Sequence, residues 1–216
     1  MLTSTYRVFI FDWDGTLINS HAKIIASLSD AFISCNFIVP NVDQLGRIIG
    51  LSIEHSMRVL YPEGDEAAIQ ALSTAYRRAY VERDRVPCIL FDGVERMLKS
   101  LHQQGVQLAI ATGKSRVGLD RALGRTTLAP LLAVTRCADE TASKPNPLML
   151  HEITRELGCD ISDCVMIGDS IYDMQMAENA GMDRIAVVSG EYEASHLLPY
   201  TPKQILGCSS ELIHFF

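Results

Sequence analysis

Hydrophobic residues along the chain form two kinds of pattern, short continuous runs and longer stretches with helical spacing. A continuous run without polar alternation predicts a strand that is buried on both faces, as in a parallel sheet. The runs predicted to be strands are Tyr6–Phe11, Val106–Ala111, Leu131–Thr135, Cys164–Ile167 and Arg184–Val188.

Helical spacing fills the intervals between these runs after residue 92. Apolar residues recur at i, i+3, i+4 and i+7 from Val94 onwards, and Gly105 ends that helix. Asn146 followed by Pro147 predicts the start of another helix, which Gly158 ends. Strands that alternate with helices of this length predict an α/β fold whose core is a doubly wound, Rossmann-like parallel sheet.

The interval between the first two runs is too long for a single crossover helix, which needs only ~10–15 residues. From Ile18 to about Leu90 the pattern is helical and no strand is evident. Its three apolar stripes are Ile24, Ile25, Leu28, Ala31 and Phe32; then Val42, Leu45, Ile48 and Ile49; then Ile69, Leu72, Tyr76, Ala79 and Tyr80. We therefore expect an inserted all-α domain at residues 18–90 and an α/β core at residues 1–17 and 91–216.

Composition and charge narrow the class of ligand. Hydrophobic residues make up 48% of the chain. It has 19 Lys and Arg residues and 26 Asp and Glu residues, which gives a net charge of −7. An acidic surface repels nucleic acid and anionic lipid. The apolar runs fall far below the ~20 residues that span a bilayer. Asp12 and Asp14 interrupt the first run too early for a secretory signal.

These features predict a cytoplasmic protein with no nucleic-acid partner and no membrane partner. Six cysteines without a CxxC pair are expected to be reduced thiols. Nothing in the sequence indicates an oligomeric state.

Polar side chains follow the predicted strands at their carboxyl ends, where open α/β sheets bind ligands. Asp12 and Asp14 follow the first strand, and Asp169 follows the fourth. If the chain turns sharply at Gly15, all three carboxylates can face one site. Crowded carboxylates need a cation between them, and their hard oxygens suit Mg²⁺. Asp173, four residues after Asp169, could support the water shell of that ion.

Two further residues add to this edge of the sheet. Thr112 ends the second strand, and Lys144 lies downstream of the third. A dication, an ammonium and a hydroxyl around one point form an arrangement that suits a phosphoryl group.

These residues fall within four motifs that resemble those of the haloacid dehalogenase superfamily, and within it the phosphoglycolate-phosphatase-like group. In order, the motifs are Asp12-Trp-Asp14-Gly-Thr16, Ala111-Thr112-Gly113, Ser143-Lys144-Pro145-Asn-Pro147 and Gly168-Asp169-(x)₃-Asp173. The helical insertion falls where that group carries a small cap. The resemblance covers essentially the whole chain.

The resemblance implies a Mg²⁺-dependent phosphatase of a small phosphorylated metabolite, either phosphoglycolate-like or a sugar phosphate. It makes Asp12 the nucleophile that forms an aspartyl-phosphate, and Asp14 the acid and base. Thr112 and the nearby Gly113 backbone would hold the phosphoryl oxygens, and Lys144 would bind the substrate and neutralise charge.

The resemblance also implies the metal ligands. Asp12, Asp169 and the backbone carbonyl of Asp14 would bind Mg²⁺, and Asp173 would position ligands or water.

The insertion is the expected source of substrate specificity. Gly46 and Gly50 break the helical pattern and predict a loop that reaches the site. Within the insertion, Arg47 and Arg58 are the cations best placed to bind an anionic group of the substrate. The connections at residues 18–20 and 86–92 would be hinges that close the helices over the substrate.

Other functions remain open. A β-phosphoglucomutase-like sugar phosphomutase uses the same four motifs, and inorganic pyrophosphatase activity is a third hypothesis. A non-catalytic binding module would usually have lost a motif acid, and none is missing here. The segment Thr112-Gly-Lys-Ser115 is not a P-loop, because Leu108 occupies the place of its first glycine. Ser115 is instead expected to cap a helix, and Lys114 to be a solvated or phosphate-proximal cation.

Overall fold

A computed structural model describes residues 6–83 and 88–215 of the chain. The strands are β1 (Val8–Phe11), β2 (Ile18–Asn19), β3 (Ile89–Leu90), β4 (Gln107–Thr112), β5 (Leu132–Cys137), β6 (Cys164–Gly168), β7 (Asp183–Val187) and β8 (Gln204–Leu206). The α-helices are α1 (His21–Ser34), α2 (Val42–Gly46), α3 (Ile53–Leu60), α4 (Glu66–Glu82), α5 (Val94–Gln103), α6 (Arg116–Leu123), α7 (Leu148–Leu157), α8 (Ile171–Ala180) and α9 (Ala194–Leu197).

The core is a parallel sheet of six strands in the order β5-β4-β1-β6-β7-β8. The predicted α/β fold with a doubly wound parallel sheet is therefore confirmed. All five predicted strands are present, with ends shifted by one or two residues. The edge strand β8 was not predicted, because three residues are too few to form a recognisable run.

Side chains that alternate along β1 explain why helices cover both faces of the sheet. Phe9 and Phe11 pack in a cluster that contains residues of α5 and α6, such as Val94 and Leu119. Val8 and its neighbours on the opposite face pack with residues of α7 and α8. Because both faces are buried, the strand reads as a continuous apolar run.

Helix ends follow the expected chemistry with one difference. Gly158 ends α7 in the left-handed conformation that favours glycine, as predicted. At the start of α7, however, Pro147 occupies the N-cap position. Asn146 lies one residue earlier and accepts a hydrogen bond from the Leu148 backbone N–H at 3.0 Å.

Helices α1 to α4 lie between β1 and β4 and have an apolar cluster of their own. It includes Leu28, Leu45, Met57 and Leu72. The short helix α3 was not predicted. Val42 lies on a predicted apolar stripe, yet its side chain is 62% exposed.

The expectation of no strand between residues 18 and 90 was wrong. Strands β2 and β3 pair antiparallel at the two ends of this segment, with Ile18 opposite Leu90 and Asn19 opposite Ile89. Two residues in each strand are too few for a visible sequence pattern. The domain boundaries themselves stay a prediction. Within residues 6–83 and 88–215, no helix combines the length and the apolar character needed to cross a membrane.

Candidate active site

The register of the three central strands brings the predicted site residues to one edge of the sheet. Phe11 of β1 lies beside Ile110 of β4 and Ile167 of β6. Asp12 therefore comes one residue beyond this row, and Thr112 and Asp169 come two residues beyond it. The strand ends therefore lie together at one edge of the sheet, as the sequence predicts.

Lys144 lies at the centre of the charged groups. Its side chain is fully buried, and its Nζ donates hydrogen bonds to Oδ1 of Asp12 at 2.7 Å and to Oδ1 of Asp173 at 2.6 Å. The ammonium thus holds together two carboxylates from distant parts of the sequence. A buried ion pair of this kind depends on both partners, because removal of one leaves an uncompensated charge.

Asp173 is held from both sides. Its Oδ2 accepts hydrogen bonds from the backbone N–H and the hydroxyl of Ser170, at 3.1 and 2.6 Å. Ser170 in turn caps α8 by accepting from the Asp173 backbone N–H. This reciprocal capping box fixes the helix start and aims the other oxygen of Asp173 at Lys144. Asp173 therefore positions Lys144.

Asp169 is enclosed by small residues. Its Oδ1 accepts a hydrogen bond from the Thr16 hydroxyl at 2.7 Å. Gly15 has a φ of +81°, and the backbone of Gly190 passes so close to Oδ2 of Asp169 that any Cβ there would clash. The glycines allow the backbone to wrap this carboxylate.

The cluster holds more negative than positive groups, and burial shifts the pKa values of its members. Burial raises the pKa of Asp12 to about 7, although the Lys144 ammonium opposes this. Burial also raises the pKa of Asp169 well above its usual value, and the charges of Asp12 and Asp173 add to the effect. Burial lowers the pKa of Lys144, but the two carboxylates outweigh it and the net shift is upward. One ammonium faces three buried carboxylates.

The donor set fits a hard divalent cation. Asp12, Asp169 and Asp173 each offer an oxygen, and these atoms lie within 4.8 Å of one another. A divalent cation would offset the excess negative charge, and carboxylate oxygens are the ligands that Mg²⁺ prefers. The residues present therefore suit the predicted ion.

The carboxylate of Asp14 lies outside this cluster. It accepts hydrogen bonds from the Ser20 hydroxyl at 2.5 Å and from Nζ of Lys114 at 2.8 and 2.9 Å. The Ser20 hydroxyl and the Lys114 ammonium therefore hold its side chain next to the cluster, and the contact predicted for the metal is made by its backbone carbonyl. That contact stays a prediction.

Sequence reasoning missed the role of Lys114. The side chain is largely buried, paired with Asp14, and in contact with the Tyr80 hydroxyl at 3.4 Å. Of the two expectations for Lys114, the one that it is solvated was therefore wrong. Its position two residues after Thr112 was the available signal, whereas nothing in the spacing indicated Ser20. Ser115 caps α6, as predicted.

Thr112 and Gly113 lie where the core meets the inserted helices. Thr112 is buried and its hydroxyl accepts from the Lys114 backbone N–H at 3.2 Å. A Cβ on Gly113 would clash with the carbonyl oxygens of Gly50 and Leu51. The loop around Gly50 therefore reaches the site, as the sequence predicts, and only a glycine allows this approach.

Arg47 is not brought into the site. Its side chain is exposed and is absent from the cavity lining within the described residues, while its backbone carbonyl accepts from the Tyr192 hydroxyl at 2.7 Å. The loop turns so that Ile48 and Ile49 line the cavity instead. Arg58 is also exposed, and it pairs with Glu66.

The site opens into a cavity of about 360 Å³ between the core and the inserted helices. Asp12, Asp14, Thr112, Gly113 and Lys114 line its core side. The first predicted hinge, residues 18–20, coincides with β2. Of the second, residues 86 and 87 lie outside the described residues. Hinge motion stays a prediction.

The sequence of this chain is similar to those of known proteins. The family model described as haloacid dehalogenase-like hydrolase matches residues 9–187. A phosphoglycolate phosphatase of Xylella fastidiosa is 34% identical over 192 residues, which cover 85% of this chain and 81% of that protein. A phosphoglycolate phosphatase of Colwellia psychrerythraea is 26% identical, over 96% of this chain and 95% of its own length.

Solved structures agree on the fold. A hydrolase from Pseudomonas syringae superposes with a TM-score of 0.88 at 24% identity, covering 98% of this chain and 97% of that one.

Proposed function

The chain belongs to the haloacid dehalogenase-like hydrolases, and we propose that it is a Mg²⁺-dependent phosphatase that acts through a phosphorylated Asp12. The substrate is a small phosphorylated metabolite. One observation supports this above all: a buried Lys144 bridges Asp12 and Asp173 beside Asp169, and Asp12 itself lines the cavity.

Asp12 is the nucleophile. Its carboxylate attacks phosphorus, and the bond from phosphorus to the leaving oxygen breaks as the new bond forms. Lys144 keeps Asp12 oriented and offsets negative charge that builds up on the phosphoryl oxygens. Thr112 and the Gly113 backbone hold those oxygens in place.

Asp14 moves the protons. In the first step it gives a proton to the leaving alkoxide, which departs as the alcohol. In the second it takes a proton from water, whose oxygen attacks phosphorus and breaks the bond to Asp12. Inorganic phosphate leaves and Asp12 is regenerated. Lys114 and Ser20 fix the position of Asp14 for both transfers.

Asp12, Asp169 and the Asp14 backbone carbonyl would hold Mg²⁺, with Asp173 beside them. When bound, the ion supplies positive charge that brings the nucleophile and the phosphoryl group together.

The alternatives differ in their products. A phosphomutase would convert one sugar phosphate into its isomer with little net release of phosphate, and a pyrophosphatase would prefer pyrophosphate. A binding module would release none. The cytoplasmic location and the absence of nucleic-acid and membrane partners stay predictions from the sequence.

The test measures phosphate released from 4-nitrophenyl phosphate, 2-phosphoglycolate, glucose 1-phosphate and pyrophosphate. We expect release from the monoesters to stop after EDTA treatment and to return with Mg²⁺ or Mn²⁺. Full activity after thorough EDTA treatment, or rescue by Zn²⁺ alone, would contradict the proposal.

A second readout needs no turnover. Mg²⁺ should raise the melting temperature, because it binds the folded site. The increase should shrink as the pH falls through about 7, because protonated Asp12 must lose its proton to bind metal. Asp169→Asn should abolish the increase. An increase of the same size in that variant would place the ion elsewhere.

A further inference from the structure

The cavity above the phosphoryl site has an apolar wall. The inserted helices and the loop between α2 and α3 supply most of it. Six apolar side chains from these segments line the cavity, namely Ile24, Leu28, Ile49, Ile53, Met57 and Val81. The rings of Tyr76 and Tyr80 complete it. This wall lines the same cavity as Asp12, so a substrate with its phosphoryl group against Asp12 can place its leaving group along it.

Several polar groups on this side of the cavity already have partners. Arg77 pairs with Glu54, and the Ser56 hydroxyl donates to the Ile48 carbonyl at 3.5 Å. The Tyr80 hydroxyl contacts Nζ of Lys114. A sugar brings several hydroxyls, and each one left unpaired on an apolar surface is unfavourable. These three groups therefore offer few hydrogen-bond partners to the hydroxyls of a polyol.

The wall is held against the core. The Ser52 backbone N–H donates to the Ser143 hydroxyl at 2.9 Å, and the carbonyls of Gly50 and Leu51 press on Gly113. In this arrangement the apolar side chains line the same cavity as Asp12 and Thr112. They are part of the substrate cavity and not a distant groove.

The volume of the cavity limits the size of the alcohol part of the substrate. At about 360 Å³ the cavity has room for on the order of ten water-sized groups of ~30 Å³ each. The two-carbon body of phosphoglycolate would leave most of that space and most of the apolar wall in contact with water. A larger apolar body would bury that surface.

We propose that the preferred substrates are phosphate monoesters of apolar alcohols, with an alkyl or arylalkyl body, rather than of glycolate or a sugar. This rests on the proposed function: Asp12 takes the phosphoryl group and Asp14 protonates the departing alkoxide, as above. The inserted helices select the alcohol by burying its apolar surface.

A series of unbranched alkyl phosphates from ethyl to hexyl tests this in the Mg²⁺-loaded enzyme. Their leaving alkoxides are equally basic, so differences in kcat/KM report contacts with the alkyl chain. We expect kcat/KM to rise about fourfold per methylene, which is roughly 250-fold over the four methylenes of the series. Hexyl phosphate should also exceed 2-phosphoglycolate and glucose 6-phosphate. The matching alkylphosphonates, which are not hydrolysed, should inhibit more strongly as the chain lengthens.

Two substitutions should flatten the series. Ile53 is the first residue of α3, where a carboxylate favours the helix start, so Ile53→Asp adds charge to the wall at the helix position that tolerates it best, and thermal melting checks that the variant is folded. Val81 is next to last in α4, is 44% exposed and lines the cavity, so Val81→Asp also adds charge to the wall. Each variant should lower the hexyl-to-ethyl ratio of kcat/KM at least 10-fold.

Each substitution has a matched control outside the cavity lining. Val42 is likewise the first residue of its helix, α2, and is 62% exposed. Val59 is next to last in α3 and is 49% exposed. Val42→Asp and Val59→Asp should leave the ratio unchanged.

A flat or falling series, with 2-phosphoglycolate or a sugar phosphate hydrolysed best, would overturn the substrate class and leave the phosphatase standing. Equal loss of the ratio in the test and control variants would also overturn it. No release from any monoester, 4-nitrophenyl phosphate included, would overturn the proposed function and this inference together.

Discussion

The two sides of the cavity are built from opposite kinds of side chain. On the core side, Asp12 lines the cavity and belongs to a cluster of buried charges that includes Lys144, Asp169 and Asp173. On the side of the inserted helices, aliphatic and aromatic groups form a wall with few polar atoms to spare. Charge interactions act at fixed geometry, whereas apolar contacts depend mainly on area. Chemistry should therefore be sensitive to single atoms on one side, and selectivity to surface area on the other.

The largest effect should come from Asp12→Asn. The amide keeps the shape of the side chain but cannot attack phosphorus. We expect kcat to fall at least ~10³-fold on every substrate, because a nucleophile acts on all of them. Thermal melting checks that the variant is folded, and near-normal turnover in a folded variant would break the comparison.

Asp173 should come next. Asp173→Asn removes the charge that faces Lys144 but can still accept a hydrogen bond from Ser170. We expect kcat to fall roughly 10- to 100-fold, because Lys144 loses a buried partner. Asp173→Ala should add a loss of stability of about 1 kcal/mol from the lost capping interaction. Denaturant unfolding of both variants separates the two roles, and equal stability would mean that the capping box contributes little.

Lys114 tests where the charged side of the cavity ends, because it belongs to the core and lies next to the apolar wall. Lys114→Met leaves the buried Asp14 carboxylate without its ammonium partner. We expect kcat to fall about 10-fold, in keeping with the ~1–3 kcal/mol typical for a lost charged hydrogen bond. Lys99→Met, which removes an exposed lysine paired with Glu95, is the control and should change nothing. Similar kcat values for both variants would show that the pairing with Asp14 is not used.

The smallest effect should come from Arg47→Ala. Since the side chain is exposed and lies outside the cavity lining, kcat/KM should change less than about twofold on any substrate. Steady-state kinetics with 2-phosphoglycolate and an alkyl phosphate measure this. A 10-fold loss confined to 2-phosphoglycolate would restore Arg47 as a substrate-binding residue.

The same contrast explains what could be predicted from the sequence. The residues at strand ends were predictable because a parallel register carries Asp12, Thr112 and Asp169 to one edge whatever surrounds them. The pairing of Lys114 with Asp14 was not, because it joins side chains 100 residues apart and depends on how each turns after its strand. The exposed position of Arg47 could not be predicted for a local reason, because the turn after α2 places its neighbours Ile48 and Ile49 in the cavity lining instead.

The central claim is that Asp12 carries the phosphoryl group during turnover. The most direct test is the intact mass of Asp14→Asn protein, quenched within milliseconds of mixing with 4-nitrophenyl phosphate and Mg²⁺. This substrate needs no acid to release its leaving group, so the variant should form the intermediate and hydrolyse it slowly. We predict one added phosphoryl group per chain, absent when Asp12→Asn is combined with Asp14→Asn. Turnover without any added phosphoryl group, or with a group that persists in the double variant, would contradict the claim.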